Sequence, residues 1–397
     1  LRADHTRVVG LNSPTPYRLY DKGNSAAART ADLNLNGDGH PDELRRYLQN
    51  QAVSPLDSRF DRRELIPLGV EASFAGEFVR QFGSDLTEAC SRFQAAVRDI
   101  VGRRAEIAAR FADSPVAKLW GTRFPFVQGA MSWISDAPEF AARIAAAGGL
   151  PTLALGLMDP DSLQRKLGNL QEVMGDRPYA VNVITLSENP CREAQLEWVR
   201  QQRPRFAVIA AGEPAQGRTL LDSGIDAIYI APTEDLLQLA LENGYRQVIC
   251  EGCESGGHIG IHSTLTLAQL ALILKKRRPE LFAGRTLILA GGICNRETAY
   301  MAAVLGADAI QMGTVYLTAT EIVETGALSD QYQQRILAAA PAATMVTGEC
   351  VGLRVRSLRN EKTAAIQELE KAAATDGIAA AELRQRLERL ATGSLCC

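Results

Sequence analysis

Residues 286–313, TLILAGGICNRETAYMAAVLGADAIQMG, contain the unit that decides the fold of this chain. The stretch begins with a continuous apolar run, TLILA, passes through a glycine turn into a helical pattern, and ends in a second apolar run, AIQMG. Continuous apolar runs, as opposed to alternating ones, are typical of strands that are covered on both faces of a parallel sheet. The stretch therefore predicts a strand, a crossover helix and a second parallel strand.

The same unit recurs along the chain from about residue 123. Helical segments such as PEFAARIAAAGG, at 138–149, separate most of the apolar runs. Eight strands with seven crossovers in roughly 200 residues is the count of a (β/α)₈ TIM barrel of the α/β class. A doubly wound sheet would need a GxGxxG turn after its first strand, where this chain has QGAM. We therefore predict the barrel, whose six earlier strands are FPFVQ (124–128), LPTLAL (150–155), YAVNVI (179–184), FAVIAA (206–211), AIYIA (227–231) and QVICE (247–251).

Segments of a different character flank the predicted barrel, which we place at residues 116–325. Residues 1–115 are predicted to form an N-terminal extension that is turn-rich at first and then helical. Residues 326–397 are predicted to form a helical C-terminal extension. Because the chain starts at Leu1 and has segments on both sides of the barrel, we expect a region excised from a longer protein.

The composition of the chain indicates which binding partners and which cellular compartment to expect. A formal net charge of −3 gives no electrostatic reason to expect a nucleic-acid partner. No apolar run reaches the roughly 18 residues of a membrane span, so no membrane partner is predicted. The eight cysteines are scattered through the sequence, which indicates reduced thiols and a cytoplasmic location.

Two motifs suggest metal sites, and the sequence favours neither. Cys250 and Cys253 form a CxxC, but no second pair or nearby histidine pair completes a zinc site. Residues 32–43, DLNLNGDGHPDE, satisfy the EF-hand pattern. However, Gly39 occupies a position that is normally apolar, and Pro41 lies where a helix should begin. We predict a polar turn at 32–43 and no metal site.

The candidate functional residues lie at the ends of the predicted strands, because the active sites of such barrels are built there. Glycines concentrate after strands 7 and 8, in AGGI and QMGT. Glycine lets backbone N–H groups approach an anion without a Cβ atom in the way, and a following helix adds partial positive charge. The two turns therefore predict a phosphate site.

The other strand ends are small and neutral, among them Ala130, Met131, Asn182 and Ala210. Such a lining suits a flat, hydrogen-bonding ring such as flavin better than a charged sugar phosphate. No lysine lies at a strand end, which argues against a Schiff-base aldolase. No carboxylate cluster lies there either, which argues against an enzyme that depends on a divalent metal.

The ordered motifs QGAM, PYAVNV, ESGGHIG, LAGGI and QMGT resemble the FMN-dependent nitronate monooxygenase (2-nitropropane dioxygenase-like) superfamily. They are most similar to its FMN-dependent enoyl-acyl-carrier-protein reductase branch, which serves polyketide and polyunsaturated fatty acid synthases. The resemblance covers about residues 116–325. It implies FMN as cofactor, NAD(P)H as reductant and His258 as the catalytic residue. It also implies that flavin or its phosphate is bound by Gly129, Ala130, Met131, Asn182, Ala210, Glu251, Gly256, Gly257, Gly291, Gly292, Gln311, Met312, Gly313 and Thr314.

The chain departs from the pattern of the superfamily at two strand ends. Strand 4 ends in AAGEP, where relatives often have a more glycine-rich turn. Strand 5 ends in IYIAPT, which replaces a lysine that many relatives carry. Both departures bear on the surroundings expected for flavin N1.

Three functions follow from the resemblance. The first is an enoyl-thioester reductase of polyketide or fatty-acid assembly, in which His258 donates a proton or orients the carbonyl. The second is a nitronate monooxygenase that uses O₂, with His258 as base. The third is a flavin-binding scaffold module of a megasynthase, with little turnover. Independently of the resemblance, an imidazole can transfer a proton at neutral pH, or it can simply pin the loop through a hydrogen bond.

The partners expected for the first function are a small-molecule thioester and an acyl carrier protein or other synthase domains. The basic run KKRR, at 275–278, ends a predicted helix and is one place where an acidic carrier protein could dock. The sequence is also compatible with a homodimer.

Overall fold

The computed structural model describes most of the chain, in two compact units. One unit comprises Leu1–Val101, Thr347–Leu353 and Asn360–Thr392, and the other Gly102–Val346, Arg354–Arg359 and Gly393–Cys397. The EF-hand-like segment at 32–43 lies outside the described residues. The division at 115/116 and 325/326 stays a prediction. The residues that the structure describes are 6–9, 17–20, 69–186, 189–340, 343–349, 354–376, 382–383 and 385–387.

Eight parallel strands form the barrel that the sequence predicts, in the order β1-β8-β7-β6-β5-β4-β3-β2. Two backbone hydrogen bonds between β1 and Leu150, which lies just before β2, close the ring. Gln128 N donates to Leu150 O (2.9 Å), and Leu150 N donates to Phe126 O (2.8 Å). The strands are β1 (Phe126–Gln128), β2 (Thr152–Ala154), β3 (Ala180–Ile184), β4 (Phe206–Ala210), β5 (Asp226–Ala231), β6 (Gln247–Glu251), β7 (Thr286–Ala290) and β8 (Ala309–Met312).

Burial on both faces explains why the strands are continuous apolar runs. Alternate residues such as Val208 and Ile249 fill the interior of the barrel. Their neighbours Ile209 and Val248 pack outward in the layer that includes the helices. Trp120, fully buried, belongs to the interior cluster, and its Nε1 donates to Gln247 Oε1 at the start of β6 (2.6 Å). This contact helps to fill the N-terminal end of the barrel, so the opposite end is left for a site.

Helices follow most strands, and side-chain caps fix where several of them begin. Asp159, Thr233, Ser263 and Asn295 each accept a hydrogen bond from a backbone N–H of the first turn that follows. The crossover from β4 to β5 is compact, as its short length predicts. The helices are α1 (Ala75–Phe82), α2 (Leu86–Gly102), α3 (Arg104–Ala112), α4 (Pro115–Trp120), α5 (Pro138–Ala147), α6 (Pro160–Leu167), α7 (Leu170–Met174), α8 (Arg192–Gln202), α9 (Arg218–Asp222), α10 (Glu234–Glu242), α11 (Thr264–Arg277), α12 (Arg296–Val304), α13 (Thr320–Glu324), α14 (Asp330–Leu337) and α15 (Glu361–Asp376).

The described part of residues 326–397 contains strands in addition to the predicted helices. It contains α14 and α15, but also two strands, β9 (Thr344–Thr347) and β10 (Val355–Leu358). In both strands buried residues alternate with more exposed ones, the pattern of a strand with one covered face. Together with the two-residue strand Gly257–His258 they form a three-stranded sheet in the order β9, β10, Gly257–His258.

The N-terminal extension is helical in α1 and α2, as predicted. Within this unit the rings of Phe78 and Phe82 in α1 pack against the ring of Phe93 in α2. The ring centroids of Phe78 and Phe82 are 4.9 Å apart, and those of Phe82 and Phe93 are 5.3 Å apart. An antiparallel pair of strands, Thr6–Val9 with Tyr17–Tyr20, precedes them. None of the helices within the described residues is both long and apolar enough to cross a bilayer.

Candidate active site

The structure brings the predicted site residues to one end of the barrel. Parallel strands run in the same direction, so residues at or after their C-terminal ends share one mouth. Gly129, Ala130 and Met131 follow β1, and Gly256 to His258 lie in the loop after β6. The other members lie in the strands or directly after them: Asn182 (β3), Ala210 (β4), Glu251 (β6), Gly291 and Gly292 (after β7), Gln311 and Met312 (β8), and Gly313 and Thr314 (after β8).

The turn after β1 is held tightly against β8. Gly129 N donates to Met312 O (2.8 Å), and a Cβ atom at Gly129 would lie 3.3 Å from the side chain of Gln311. Gln128 is buried, and its amide bonds to Gly129 O and to Thr152 N. The sequence motif QGAM thus contains one residue, Gln128, that shapes the turn from inside the protein.

Glu251 and Gln311 form a polar pair across the mouth of the barrel. Gln311 Nε2 donates to Glu251 Oε2 at 3.3 Å. Burial raises the pKa of Glu251 to about 7, and the hydrogen bond from Gln311 opposes part of this rise. Glu251 therefore holds a proton in a large fraction of molecules at neutral pH. The residue types alone do not predict this protonation state.

The glycines after β7 and β8 provide backbone donors. Gly291 and Gly292 have φ of 105° and 68°, values that favour glycine. A Cβ at Gly291 would lie 2.6 Å from Thr264 Oγ1, so that glycine is required by packing. Across the described part of the chain, the N–H groups of Gly292, Gly313 and Thr314 donate to no protein acceptor. These N–H groups are the donors that a phosphate needs.

The space beside Gly313 supports the same interpretation. A Cβ built on Gly313 would have Met131 Sδ, at 3.9 Å, as its nearest neighbour. Its φ of −110° is one that any residue can adopt. Packing and backbone conformation therefore do not require glycine here, whereas close approach of a ligand to the backbone would. The residues present thus fit the phosphate of a flavin nucleotide.

Packing requirements explain much of the EGCESGGHIG segment. A Cβ at Gly252 would overlap the backbone and side chain of Thr264. The carboxylate of Glu254 accepts hydrogen bonds from Thr264 N (2.8 Å) and Thr264 Oγ1 (3.0 Å) at the start of α11. Burial raises the pKa of both Cys250 and Cys253, which keeps them as thiols. No metal-binding cluster of His, Cys, Asp or Glu occurs among the described residues.

His258 lies on the rim of the mouth, with its backbone paired to Val355 of β10. Its side chain is exposed on one side, while the surrounding protein partly desolvates the ring and lowers the pKa of His258 below its ordinary value of 6.5. The imidazole is therefore mostly neutral at pH 7. A neutral imidazole carries both a donor N–H and an acceptor nitrogen.

The ends of β3, β4 and β5 offer fewer free polar groups to a ligand than the ends of β6, β7 and β8. Asn182 is buried and its Nδ2 donates to Val208 O (3.1 Å), so its amide hydrogens are partly engaged within the sheet. Ala211, in the AAGEP turn, has φ of 56°, a conformation that glycine adopts more readily. β5 ends at Ala231 and contributes no cation. The two strand ends that depart from the superfamily pattern therefore offer a flavin neither a glycine at position 211 nor a cation at the end of β5.

The sequence did not predict the residues that fix the loop of His258 by hydrogen bonds. Thr264, Glu254 and Arg356 all bond to the loop that carries His258 or to its neighbours. Thr264 and Glu254 could have been found from their place around a helix start. Arg356 gave no signal, because it lies 103 positions from its partner Cys253.

Comparison with known proteins identifies the family to which the chain belongs. A family model described as nitronate monooxygenase matches residues 113–393. The chain is similar to a probable nitronate monooxygenase of Staphylococcus saprophyticus, with 29% identity over 62% of this chain and 78% of that protein. It is also similar to the (3aS,4S,5R,7aS)-5-hydroxy-7a-methyl-1-oxo-octahydro-1H-indene-4-carboxyl-CoA dehydrogenase of Mycobacterium tuberculosis, with 27% identity over 68% of this chain and 71% of that protein.

Two solved structures have the same fold. FabK from Thermotoga maritima is 29% identical, with a TM-score of 0.58 over 70% of this chain and 85% of that chain. The enoyl reductase domain of MlnA, from the macrolactin biosynthesis cluster of Bacillus amyloliquefaciens, is 15% identical, with a TM-score of 0.58 over 71% of this chain and 75% of that chain. The second likeness is one of fold alone.

Proposed function

The chain belongs to the nitronate monooxygenase family of FMN-dependent oxidoreductases, and we propose that within this family it is an NAD(P)H-dependent enoyl-thioester reductase. The substrate would be an α,β-unsaturated acyl group, carried on coenzyme A or on an acyl carrier protein, in polyketide or fatty-acid assembly. The products would be the saturated acyl thioester and NAD(P)⁺.

An apolar rim around the mouth is the observation that carries this proposal. Large apolar side chains are exposed on the segments that follow β1, β2, β6 and β8. Trp133 is the most exposed, at 61%. Exposed apolar side chains at one end of a protein often mark a binding surface. An acyl chain would cover such a rim, which a small alkyl nitronate would not reach; its members are Trp133, Leu157, Ile261, Leu265 and Val315.

The backbone at Trp133 supports a functional role for this rim. Trp133 has φ of 68°, a left-handed conformation that is an outlier for a bulky residue. Such strain costs on the order of 1–3 kcal/mol and is found mainly where function requires it. Lys166 Nζ lies 5.8 Å from the centre of the Trp133 ring and is paired with the buried Asp136. Trp133 therefore stands in a defined position at the mouth.

The relatives supply chemical support for a thioester. The similar protein of Mycobacterium tuberculosis is named as a dehydrogenase of a carboxyl-CoA compound. This name describes oxidoreduction of an acyl-CoA compound, which agrees with the resemblance to the enoyl reductase branch in the motifs of the chain.

Separate groups of residues in the chain would hold the phosphate and the ring of FMN. The N–H groups of Gly292, Gly313 and Thr314 would hold the phosphate. The residues Gly129 to Met131, together with Asn182 and Gln311, would line the flavin ring. The chemistry supplied by bound FMN is hydride transfer between NAD(P)H and the alkene of the substrate.

His258 and Glu251 are the groups of the chain that can hold or move a proton. A neutral His258 can donate its N–H to the carbonyl oxygen of the thioester, where negative charge develops when the β-carbon is reduced. Glu251 keeps a proton near neutral pH because of its burial. The loops around the mouth would place the substrate carbonyl against His258 and exclude water from it.

The location of the basic run at 275–278 bears on how a carrier protein would approach. Lys275, Lys276 and Arg277 form the last turn of α11, whose first turn adjoins the mouth. A helix of 14 residues rises about 21 Å, so this run lies far from the mouth. We therefore propose that an acyl carrier protein docks on the mouth side instead, within reach of the apolar rim.

The second candidate is a nitronate monooxygenase, favoured by the family model and by the name of the Staphylococcus saprophyticus relative. In this function a neutral His258 would act as the base towards an alkyl nitronate, with O₂ as the electron acceptor. The lowered pKa of His258 is compatible with both functions.

One experiment separates the two functions. The purified protein, loaded with FMN, is supplied with NAD(P)H and crotonyl-CoA or 2-octenoyl-CoA, and separately with an alkyl nitronate while oxygen uptake is recorded. Consumption of NAD(P)H that depends on the enoyl thioester supports the reductase. Oxygen uptake with the nitronate and no use of NAD(P)H would overturn it. Bound flavin with neither activity would leave the scaffold module as the function.

A further inference from the structure

The backbone on both sides of His258 is held by a strand from the C-terminal extension. Val355 pairs with His258, and Arg356 pairs with Gly257, in an antiparallel register. Ile259 N donates to Arg354 O at 3.0 Å. The loop after β6 therefore does not rest on the barrel alone.

Two arginines bond to the loop: Arg356 of β10, and Arg354, which directly precedes the strand. Arg356 Nε donates to Cys253 O (3.0 Å), and Arg356 Nη1 donates to Thr344 Oγ1 of β9 (3.1 Å). Arg354 Nη1 donates to Gly260 O (3.2 Å). The two guanidinium groups thus bond to carbonyl oxygens at the two ends of the segment 253–260.

The segment needs such support because of its composition. Gly256 and Gly257 have the greatest backbone freedom of any residue type. Gly257 has φ of 75°, and no atom lies within 4 Å of the place where its Cβ would be. A loop with little side-chain packing opens easily unless other bonds fix it. Glu254 is bonded to Thr264, whereas around Gly257 and His258 the fixing bonds come from β10, Arg354 and Arg356.

We propose that Arg356 is a positioning residue, which fixes the segment 253–260 and through it the imidazole of His258 at the mouth. This inference rests on the proposed function, because it assigns His258 to the reaction. A guanidinium group is planar and donates in several fixed directions at once, so Arg356 joins Cys253 to Thr344. A lysine at this position would keep the charge but could not hold both acceptors in the same geometry.

The test measures loop mobility and turnover in the same set of variants of the FMN-loaded protein. Backbone amide exchange is followed by mass spectrometry on the peptide that covers 252–262. We expect Arg356→Ala to exchange about tenfold faster there, from the loss of two hydrogen bonds to a charged group, and Arg356→Lys to lie between it and the wild type. Thr344→Val, which removes one acceptor, should give a smaller increase. Arg359→Ala, at the exposed end of the same segment, is the matched control and should not differ from the wild type.

Turnover of the enoyl thioester distinguishes positioning from a general loss of structure. We expect Arg356→Ala to lower kcat about tenfold while the KM for NAD(P)H stays within about twofold, with partial rescue in Arg356→Lys. Unchanged amide exchange in Arg356→Ala, or wild-type kcat despite faster exchange, would overturn the inference. If Arg356→Ala does not fold, Arg356→Lys and Thr344→Val decide it by the same two measurements. Failure of the wild type to reduce enoyl thioesters would instead refute the proposed function and leave the exchange result to stand alone.

Discussion

Replacing Glu251 by glutamine tests whether the polar pair at the mouth is protonated as its burial implies. Glutamine has nearly the shape of glutamic acid and can still accept the hydrogen bond from Gln311, but it cannot ionise. The variant therefore changes the charge of the site and little else. Its effect on stability depends on pH in a way that the structure specifies.

The magnitude follows from the pKa of Glu251 in the folded and unfolded states. Burial raises the pKa from 4.5 to about 7, a difference of roughly 2.5 units, and each unit corresponds to about 1.4 kcal/mol. The limit is therefore between about 3 and 4 kcal/mol. Glu251 keeps some contact with solvent, so we expect about 2 kcal/mol to be observed.

The sign of the pH dependence is fixed by which state loses its proton first. Between pH 4.5 and 7 the unfolded chain releases the proton of Glu251 while the folded protein keeps it. The unfolded state is then favoured, so the free energy of unfolding of the wild type falls as pH rises through this range. At about pH 8, one unit above the pKa of the folded protein, both states are almost fully ionised and the loss is nearly complete. Glu251→Gln does not suffer this loss.

The assay is urea unfolding of the apoprotein at pH 5, 6, 7 and 8, for the wild type and for Glu251→Gln. Contributions of all other groups cancel in the difference between the two proteins. We expect the variant to gain about 2 kcal/mol on the wild type between pH 5 and pH 8. Gln311→Leu removes the hydrogen bond that opposes the rise in pKa, so its decline in stability should be larger than that of the wild type and should continue to higher pH. A difference between wild type and Glu251→Gln that stays flat across this range would refute the argument.

Three further predictions concern the cofactor and the substrate. His258→Ala should keep its bound FMN but lose at least about a hundredfold in kcat, measured by steady-state reduction of an enoyl thioester; unchanged turnover would reduce His258 to a loop contact. Gly313→Ala should fold normally, because its Cβ meets only Met131 Sδ at 3.9 Å, but should bind FMN at least tenfold more weakly by equilibrium dialysis. Gly76→Ala, equally open, is its control, and equal affinities would remove the phosphate from this turn. Trp133→Ala should raise the KM for 2-octenoyl-CoA about tenfold and that for crotonyl-CoA little, and an equal effect on both would argue against an acyl chain on the rim.

The barrel was predictable because its signal is local. Each strand is buried on both faces, so its sequence is a continuous apolar run, and the predicted runs agree with the observed strands to within two residues at either end. The glycine turns after β7 and β8 were visible for the same reason. They combine a strand end, a glycine and a following helix or turn within a few residues.

The parts of the site that were missed depend on residues far apart in sequence. The raised pKa of Glu251 requires burial beside Gln311, 60 positions away. Strand β10 pairs with Gly257 and His258 about a hundred positions earlier, and its short sequence VRSL shows no period by itself. Likewise, Gly252 looks like part of a ligand-binding turn until Thr264 is seen against it. No local pattern encodes such contacts.

The late position of β10 in the chain also sets the order in which the enzyme is assembled during translation. The last barrel strand ends at Met312, whereas the residues that bond to the His258 loop begin at Arg354. Domains commonly start to fold while the ribosome is still adding residues. A nascent chain that has already closed its barrel therefore still lacks the strand that pairs with Gly257 and His258. The loop of His258 would therefore gain its final support only after β10 has been added, later than the glycine turns after β7 and β8 are in place.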